Sequence, residues 1–330
     1  GNRRIIGIFG RNHQCITGTV EIVFLPGAVA GRTFRPLVRQ LCVGISGRLQ
    51  QIYMDTFGLI QLAELIYEYC GIDFLKNLSS LENKISERLK ELGLTCWEYG
   101  GYLRVEPKEW DTLIELITVN ETYFFREENL MEEFQKVILP QYKDRTPNNP
   151  LRIWCCACSS GEEPYTLAIL SEETGLFEAG AVKIIASDIN KKVLEKAKRG
   201  GYNKKSFSFR TMPKEILDKY FISFEEEYKV KDSIRNMVDF RCLNLLDDNI
   251  TERIGKVDII LCRNVLIYFD KKTINKVIGT LYSALTTGGY LLLGHAETIT
   301  GMDTGFETIY APSTFYYRKG EGYPCSSMAY

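Results

Sequence analysis

The first residues that could do chemistry are two consecutive carboxylates beside a glycine. The apolar residues 151–157 lead into a turn that contains Gly161, and Glu162 and Glu163 follow at once. A glycine turn before a helix lets the backbone approach a ligand closely. The two carboxylates would repel a pyrophosphate but suit a cationic ligand that carries an ammonium group. The alternative is that both acids only stabilise the positive N-terminus of the following helix.

Another acid, Asp188, ends the next apolar segment, residues 182–188. If both segments are parallel strands, their carboxyl ends meet at one edge of the sheet, where ligands bind in such folds. An aspartate at this strand end is placed to accept both hydroxyl groups of a ribose. The alternative is that Asp188 caps the next helix. A site for an ammonium group beside a site for a ribose points to S-adenosylmethionine.

Polar residues interrupt a third segment of apolar character. Arg263 and Asn264 follow residues 257–262, and the chain is apolar again up to Phe269. Polar groups at the end of a buried strand must find partners in the protein or in a ligand. Tyr268 is then either an aromatic residue of the core or a hydroxyl group in the same site.

Histidine and cysteine restrict the possible chemistry. The only histidines are His13 and His295, which excludes a histidine-rich metal site and leaves His295 as the one candidate imidazole base. We interpret His295 instead as a polar loop residue near the site. Cys155, Cys156 and Cys158 lie in a predicted buried strand without paired metal-ligand spacing. We interpret them as small buried residues in a reducing compartment.

The composition argues against nucleic acid and membrane as partners. The chain has 41 basic and 42 acidic residues, so its formal charge is −1 and no broad positive field exists. No apolar run approaches the roughly 18 residues of a membrane span. We therefore expect a cytoplasmic monomer that inserts into no membrane and binds no nucleic acid.

The elements that must position these residues follow from the spacing of apolar side chains. Between residues 58 and 117 this spacing is three or four, which predicts a small helical bundle. Gly71 and Gly93 stand where helices should end, and Ser79 and Ser80 where one could begin. From residue 151 onward strands alternate with helices, which is typical of a mostly parallel sheet covered on both faces. The predicted strands are 151–157, 182–188, 239–246, 257–262 and 290–294, the helices are 164–173, 191–199 and 271–285, and a hairpin of 306–310 with 314–318 closes the sheet.

The same pattern predicts the domain organisation. Residues 1–53 differ from the rest in lacking lysine, and we interpret them as a non-native or disordered extension without assigned function. The remaining predicted parts are a helical domain at 54–117, a linking and cofactor-contacting segment at 118–150, a sheet domain at 151–319 with an inserted subdomain at about 203–237, and a tail at 320–330.

Six segments, in order, resemble the chemotaxis receptor methyltransferase (CheR) family. They are TVNETYFFRE at 118–127, SGEEPY at 160–165, Asp188, NLL at 244–246, RNVLIYF at 263–269 and GHAE at 294–297. The resemblance extends over roughly residues 58–318. It implies an α/β fold with a Rossmann-like class I methyltransferase sheet, a C-terminal antiparallel hairpin, a small inserted subdomain and an N-terminal helical domain. It also implies S-adenosylmethionine as methyl donor, S-adenosylhomocysteine as product and no metal.

The resemblance further implies roles for individual residues. It places Arg126 and Tyr268 beside the transferable methyl group. Glu162 is preferred to Glu163 as a cofactor ligand because it is nearer the turn. The implied contacts with S-adenosylmethionine come from Asn120, Thr122, Arg126, Glu162, Asp188, Asn244, Leu245, Arg263 and Asn264.

The implied reaction is methyl transfer to glutamate side chains of methyl-accepting chemotaxis receptors, which serves adaptation in chemotaxis signalling. A glutamate is already ionised at neutral pH. Its attack on a sulfonium methyl group therefore needs no base, which agrees with the scarcity of histidine. The enzyme then acts mainly by positioning the reacting groups, and Arg126 could orient the carboxylate through charge-assisted hydrogen bonds.

Two surfaces could recognise the receptor. Lys84 and Arg88 share one face of a predicted helix and Lys90 lies nearby. The resemblance suggests that such a basic face binds acidic receptor helices, although interspersed glutamates also fit an ordinary solvated face. The insertion occupies the place of a subdomain that binds a receptor's C-terminal peptide in some family members. Residues 222–237 lack the glycine of peptide-binding members, so we expect a peptide-independent member.

Two other functions stay open on the sequence alone. One is methylation of an RNA or a small molecule, against which the neutral charge and the absence of an N/D-P-P-Y motif argue. The other is a regulatory protein that binds the cofactor without turnover. The presence of Asn120, Arg126, Asp188 and Tyr268 argues against it.

Overall fold

The computed structural model describes residues 47–320, with side chains from residue 55 onward. A compact unit begins at Met54, and it contains every strand of the described residues. The predicted tail falls almost wholly outside the described residues. So does most of the predicted extension, apart from the first turns of a helix that begins at Gly47.

The first four helices of the described residues each contribute buried apolar side chains to one core. The spacing of apolar residues predicted three of them, although the first begins before residue 58. Leu62, Leu81, Leu103 and Leu113, one from each helix, are at most 1% exposed. The helices are α1 (Gly47–Cys70), α2 (Leu78–Leu92), α3 (Cys96–Val105) and α4 (Glu109–Ile117).

The ends of α2 illustrate how local chemistry sets a boundary. Asn77, rather than Ser79 or Ser80, caps the helix, because its side chain accepts a hydrogen bond from the backbone N–H of Ser80. Gly93 ends the helix in the left-handed region, with φ of 64°, as the sequence predicted.

Helix α3 was missed by the sequence analysis. Gly100 and Gly101 lie inside it, and glycine disfavours helix by about 1 kcal/mol per residue. A reciprocal capping box between Thr95 and Glu98 starts the helix. The spacing of these two residues is the sequence pattern that could have revealed it.

Ten strands follow, and seven of them form one mixed sheet. The strands are β1 (Leu151–Cys156), β2 (Val182–Asp188), β3 (Gly201–Asn203), β4 (Phe221–Ser223), β5 (Glu227–Val230), β6 (Val238–Cys242), β7 (Val257–Cys262), β8 (Leu285–Leu293), β9 (Phe306–Ala311) and β10 (Thr314–Lys319). The order in the large sheet is β6-β2-β1-β7-β8-β10-β9. Its first five strands are parallel, and β9 and β10 form an antiparallel hairpin at the edge. The predicted α/β sheet with a C-terminal hairpin is confirmed.

Both faces of this sheet carry apolar side chains, because successive residues of its buried strands point to opposite sides. Helices cover both faces. Ile153 and Cys155 belong to one apolar core, whereas Trp154 and Cys156 belong to the other. The helices that follow α4 are α5 (Glu128–Glu133), α6 (Glu162–Glu173), α7 (Lys191–Arg199), α8 (Lys214–Tyr220), α9 (Asp232–Arg235), α10 (Ile250–Ile254) and α11 (Lys271–Ala284). A π-helical turn, Phe134–Ile138, and a 3-10 turn, Leu139–Tyr142, continue α5.

Two strand boundaries differ from the prediction by four or more residues. Strand β8 begins at Leu285 and not at Tyr290, and Gly288 and Gly289 lie within it. Strand β6 ends at Cys242, four residues before the predicted end. After it, Asn244 accepts a hydrogen bond from the N–H of Leu246 and forms a turn instead of continuing the ladder.

The predicted insertion contains a second, three-stranded sheet in the order β3-β5-β4. An aromatic cluster joins it to the segment that precedes α5, since the Phe124 ring lies 5.0 Å from Tyr202, 5.5 Å from Phe209 and 5.2 Å from Phe221, centre to centre. The inserted subdomain is therefore packed directly against the segment that carries Arg126.

Candidate active site

A cavity lies at the carboxyl ends of β1, β2 and β7, and residues that follow α4 line another side of it. Parallel pairing brings these strand ends together, as the sequence analysis expected. The residues of the predicted set that line the cavity are Asn120, Thr122, Arg126, Asp188, Asn244, Leu245, Arg263, Asn264 and Tyr268.

The backbone around this cavity is unusually constrained. Among the described residues, the non-glycine residues with positive φ are Phe125 (56°), Glu127 (61°), Ala157 (49°), Ser159 (49°) and Asn264 (57°). Three of them line the cavity, and the other two flank Arg126. Such conformations cost about 1–3 kcal/mol each and persist where surrounding contacts impose them. Their grouping at one place marks the cavity as a functional site.

Asp188 is held at the end of β2 by backbone donors. Its Oδ2 accepts a hydrogen bond from the N–H of Ser159 (2.8 Å) and its Oδ1 one from the N–H of Asn190 (2.8 Å). Burial raises the pKa of Asp188, and the backbone N–H groups oppose this effect. The alternative that Asp188 caps α7 is wrong, because the side chain of Asn190 accepts the hydrogen bonds from the first turn. Asp188 is thus available to a ligand in the cavity.

The two consecutive glutamates face different parts of the molecule. Glu163 lines the cavity, and Glu162 does not. The Glu162 carboxylate is 1% exposed and accepts hydrogen bonds from the hydroxyl groups of Ser160 (2.7 Å) and Ser208 (2.8 Å). The cavity wall therefore carries Glu163 and not Glu162, the residue preferred from the sequence, because neighbouring helical residues point about 100° apart.

Arg263 is the centre of a buried ion-pair network. Its guanidinium pairs with Glu163 and lies 3.0 Å from Oε2 of Glu127. It also donates to the backbone carbonyl of Arg126 at 2.9 Å. Burial disfavours its charge, but the two carboxylates outweigh this effect and raise the pKa of Arg263. Its Nε has no hydrogen-bond partner among the described residues, which leaves one donor of a cavity-lining side chain unused.

Arg126 and Tyr268 lie on different segments and meet at the cavity. The Arg126 guanidinium donates one hydrogen bond to the carbonyl oxygen of Glu121 at 3.2 Å. Burial raises the pKa of Tyr268 and the nearby charge of Arg126 opposes the shift, so the phenol is protonated at neutral pH. The pair thus presents a partly free guanidinium and a neutral hydroxyl group.

The cavity lining carries more negative than positive charge. Its acidic residues are Glu121, Glu163 and Asp188, and its basic residues are Arg126 and Arg263. This donor set fits a ligand that bears an ammonium or sulfonium group, because an opposite charge offsets the loss of hydration. Among the described residues, no group of three or more His, Cys, Asp or Glu side chains could hold a metal ion.

Glu297 is a residue of this site that the sequence analysis quoted without giving it a role. It is 4% exposed, and its two oxygens accept hydrogen bonds from the N–H groups of Asn264 (2.7 Å), Leu266 (2.7 Å) and Gly294 (2.8 Å). Glu297 therefore fixes the turn that carries Asn264 and Tyr268. A buried acid that follows a predicted strand end is the pattern that could have identified it.

We expect the Glu297→Gln variant to be destabilised by about 2 kcal/mol. The amide has one acceptor oxygen and would turn its NH2 group toward a backbone donor. Methyl transfer should fall as well, because Tyr268 loses its position. Urea unfolding and steady-state kinetics would measure both effects, with the exposed Glu225→Gln as matched control. Wild-type stability in Glu297→Gln would contradict this role.

The predicted basic face is smaller than expected. Arg88 binds Glu109 inside the helical region, through Nε (2.9 Å) and Nη2 (2.7 Å). Lys84 is half-buried and its Nζ lies 3.5 Å from the carbonyl oxygen of Leu116. Only Lys90 of the three is exposed. Arg88 is thus engaged in an internal ion pair, which the sequence could not reveal because Glu109 comes from another helix.

The Arg88–Glu109 ion pair predicts that its contribution to the free energy of unfolding falls in acid. Hydrogen bonding to Arg88 holds the pKa of Glu109 below its ordinary value. A lowered pKa contributes stability above the unfolded-state value, and this contribution is lost as the pH falls through the folded-state value. We therefore expect Arg88→Ala to lower the free energy of unfolding by about 2 kcal/mol at pH 7 and by much less at pH 3. Denaturant titrations at both pH values, beside the exposed Arg104→Ala, test this; a pH-independent difference would argue against it.

Histidine and cysteine occupy structural positions in the described part of the chain. The exposed imidazole of His295 lies 3.0 Å from Oε1 of Glu127 and is not among the cavity-lining groups. Cys155 and Cys156 are buried on opposite faces of β1, and Cys158 is buried at the cavity wall. Burial raises the pKa of each of these thiols. None of the helices between residues 47 and 320 is both long and apolar enough to cross a membrane.

Comparison with known proteins agrees with this geometry. Residues 120–315 match the model described as CheR methyltransferase, SAM binding domain, and residues 58–118 match CheR methyltransferase, all-alpha domain. Chemotaxis protein methyltransferase 2 of Vibrio cholerae is 36% identical over 83% of this chain and 97% of its own length. The Borreliella burgdorferi chemotaxis protein methyltransferase is 36% identical over 74% and 88%, and that of Escherichia coli is 33% identical over 77% and 90%.

Proposed function

Because the chain belongs to the CheR methyltransferase family, we propose that it transfers a methyl group from S-adenosylmethionine to glutamate side chains of methyl-accepting chemotaxis receptors. The products are glutamate methyl esters and S-adenosylhomocysteine. The reaction takes place on the cytoplasmic helices of the receptors and serves adaptation of the chemotactic response.

The observation that carries this proposal is the cavity at the strand ends. Its negative lining suits a cationic sulfonium donor, and Glu163 and Asp188 lie on it at the ends of two neighbouring strands. Asp188 is placed for the ribose hydroxyl groups and Glu163 for the ammonium group. Asn120, Thr122, Asn244, Leu245, Arg263 and Asn264 complete the surface that would hold the cofactor.

The chemistry fits a carboxylate nucleophile. S-adenosylmethionine supplies an electrophilic methyl group. A glutamate side chain is ionised at neutral pH and needs no proton removed, and no histidine is present among the cavity-lining residues. Positioning alone can contribute about 7–11 kcal/mol to such a reaction.

Arg126 and Tyr268 act on the acceptor in this proposal. Arg126 orients the carboxylate, and only one of its donors is committed to the backbone. Two parallel hydrogen bonds from Arg126 to the acceptor carboxylate would stabilise the ground state. A single hydrogen bond therefore favours turnover. The neutral Tyr268 hydroxyl can donate a hydrogen bond to the same carboxylate.

The test uses S-adenosylmethionine with a labelled methyl group and purified cytoplasmic fragments of chemotaxis receptors. We expect label on receptor glutamates, located by peptide mapping, and its release as methanol in mild base, because glutamyl esters hydrolyse under those conditions. An Asp188→Asn variant should lose cofactor binding and labelling together. Base-stable label, or label on RNA alone, would refute the proposed substrate.

A further inference from the structure

A third arginine, Arg210, lies beside the cavity and outside the set predicted from the sequence. It belongs to a short segment, residues 207–212, that packs against the segment carrying Arg126. The N–H of Phe124 donates to the carbonyl oxygen of Ser208 (3.0 Å), and the Thr211 hydroxyl donates to the carbonyl oxygen of Phe124 (2.6 Å). These two hydrogen bonds fix Arg210, which lies between Ser208 and Thr211, beside the catalytic segment.

Tyr123 brings the two arginines together. The guanidinium carbon of Arg210 stacks 3.5 Å from the centre of the Tyr123 ring, and that of Arg126 lies 5.7 Å from the same centre. Cation–π contact of this kind orients a guanidinium without using its hydrogen-bond donors. The two positive charges therefore lie close together with donors available to a ligand.

Arg210 is only loosely paired within the protein. Its Nη2 lies 3.9 Å from Oε1 of Glu121, at the outer limit of an ion pair, and the side chains are 40% and 75% exposed. Glu121 also lines the cavity, which places Arg210 at the cavity rim. An exposed ion pair of this kind contributes little to stability. An incoming carboxylate can replace Glu121 at little cost.

We propose that Arg210 forms a second carboxylate subsite, which binds an acidic side chain one helical turn from the glutamate that is being methylated. Side chains three or four residues apart on a helix are neighbours, about 5–6 Å between their Cβ atoms. Two guanidinium groups that contact one tyrosine ring can each bind one of two such carboxylates. This inference rests on the proposed function, because it assumes a helical receptor substrate whose acceptor carboxylate binds at Arg126.

The subsite is tested with two forms of one receptor fragment. In the first form the acidic residues one turn to either side of the mapped methylation site are intact, and in the second they are glutamine. We expect the wild-type enzyme to methylate the acidic form with a kcat/KM about fivefold higher, mainly through KM, and less so at high salt. The Arg210→Ala variant should treat both forms alike, and Arg210→Lys should recover part of the preference.

Two controls separate this subsite from a structural role and from the proposed function. Affinity for S-adenosylmethionine should not change in Arg210→Ala, and the exposed Lys214→Ala should keep the full preference. The inference is overturned if Arg210→Ala retains the preference, if it loses cofactor affinity in parallel, or if the wild-type enzyme methylates both forms equally. Absence of any receptor methylation by a wild-type enzyme that binds the cofactor would instead refute the proposed function.

Discussion

Replacing Arg126 with alanine is expected to lower the rate of methyl transfer about 10²–10³-fold while leaving most of the affinity for S-adenosylmethionine. Arg126 lines the cavity beside Tyr268, and within the described part of the chain its guanidinium donates one hydrogen bond, to the carbonyl oxygen of Glu121. Its remaining donors can orient the acceptor carboxylate. We therefore expect the variant to lose an interaction with the reacting group, whereas the proposed donor contacts of Asp188 and Glu163 should stay intact.

Single-turnover kinetics and calorimetric titration of the cofactor would separate these two effects. Arg126→Lys keeps the charge but loses the planar fork, so it should fall between wild type and Arg126→Ala. Lys183→Ala is a matched control. Lys183 is an exposed basic residue near the start of β2, whereas the cavity lies at the end of that strand. Equal losses of affinity and rate would assign Arg126 to the cofactor alone.

Replacing Arg263 is expected to have the largest effect on stability. Its side chain is 1% exposed and lies between the carboxylates of Glu127 and Glu163. Removing one partner of a buried ion pair costs about 3–5 kcal/mol, because a buried charge remains without compensation. In Arg263→Met, the carboxylates of both Glu127 and Glu163 would remain without this arginine. We expect Arg263→Met to lower the free energy of unfolding by this amount.

Glu163, a partner of Arg263 in the network, provides a control for that measurement. Adding Glu163→Gln to Arg263→Met removes one of the uncompensated charges, so the double variant should recover part of the lost stability. The exposed pair of Arg253 with Asp247 provides the comparison, and Arg253→Ala should cost less than about 1 kcal/mol. A loss below 1 kcal/mol for Arg263→Met, or no coupling with Glu163→Gln, would rule out the network as a stabilising element.

Much of the fold was predictable because it depends on patterns that are short in sequence. Strands β2 and β7 and helix α7 have the predicted bounds, since apolar runs and capping residues act within a few positions. Strand ends also mark a ligand site wherever a sheet is parallel. The positions of Asp188 and Asn264 at the cavity follow from this rule alone.

The direction in which each side chain points was harder to predict from the sequence. Glu162 and Glu163 are identical in type and adjacent, yet one binds Ser208 of the inserted subdomain and the other faces Arg263 in the cavity. The sequence cannot choose between them, because the rotation of α6 about its axis depends on what packs against it. Arg88 is a similar case, since its partner Glu109 lies on α4.

The sequence by itself determined the order along the chain of the strands in the large sheet, three of the four N-terminal helices, the family, and the residue types available at the strand ends. Tertiary structure alone decided which of those residues share the cavity and which are used internally: Glu163 at the cavity, Glu297 under the turn of Tyr268, and Arg210 beside Arg126. The physical reason is the distance along the chain over which each interaction acts. Periodicity and capping are local, whereas an ion pair or a hydrogen bond between distant segments exists only after the chain has packed.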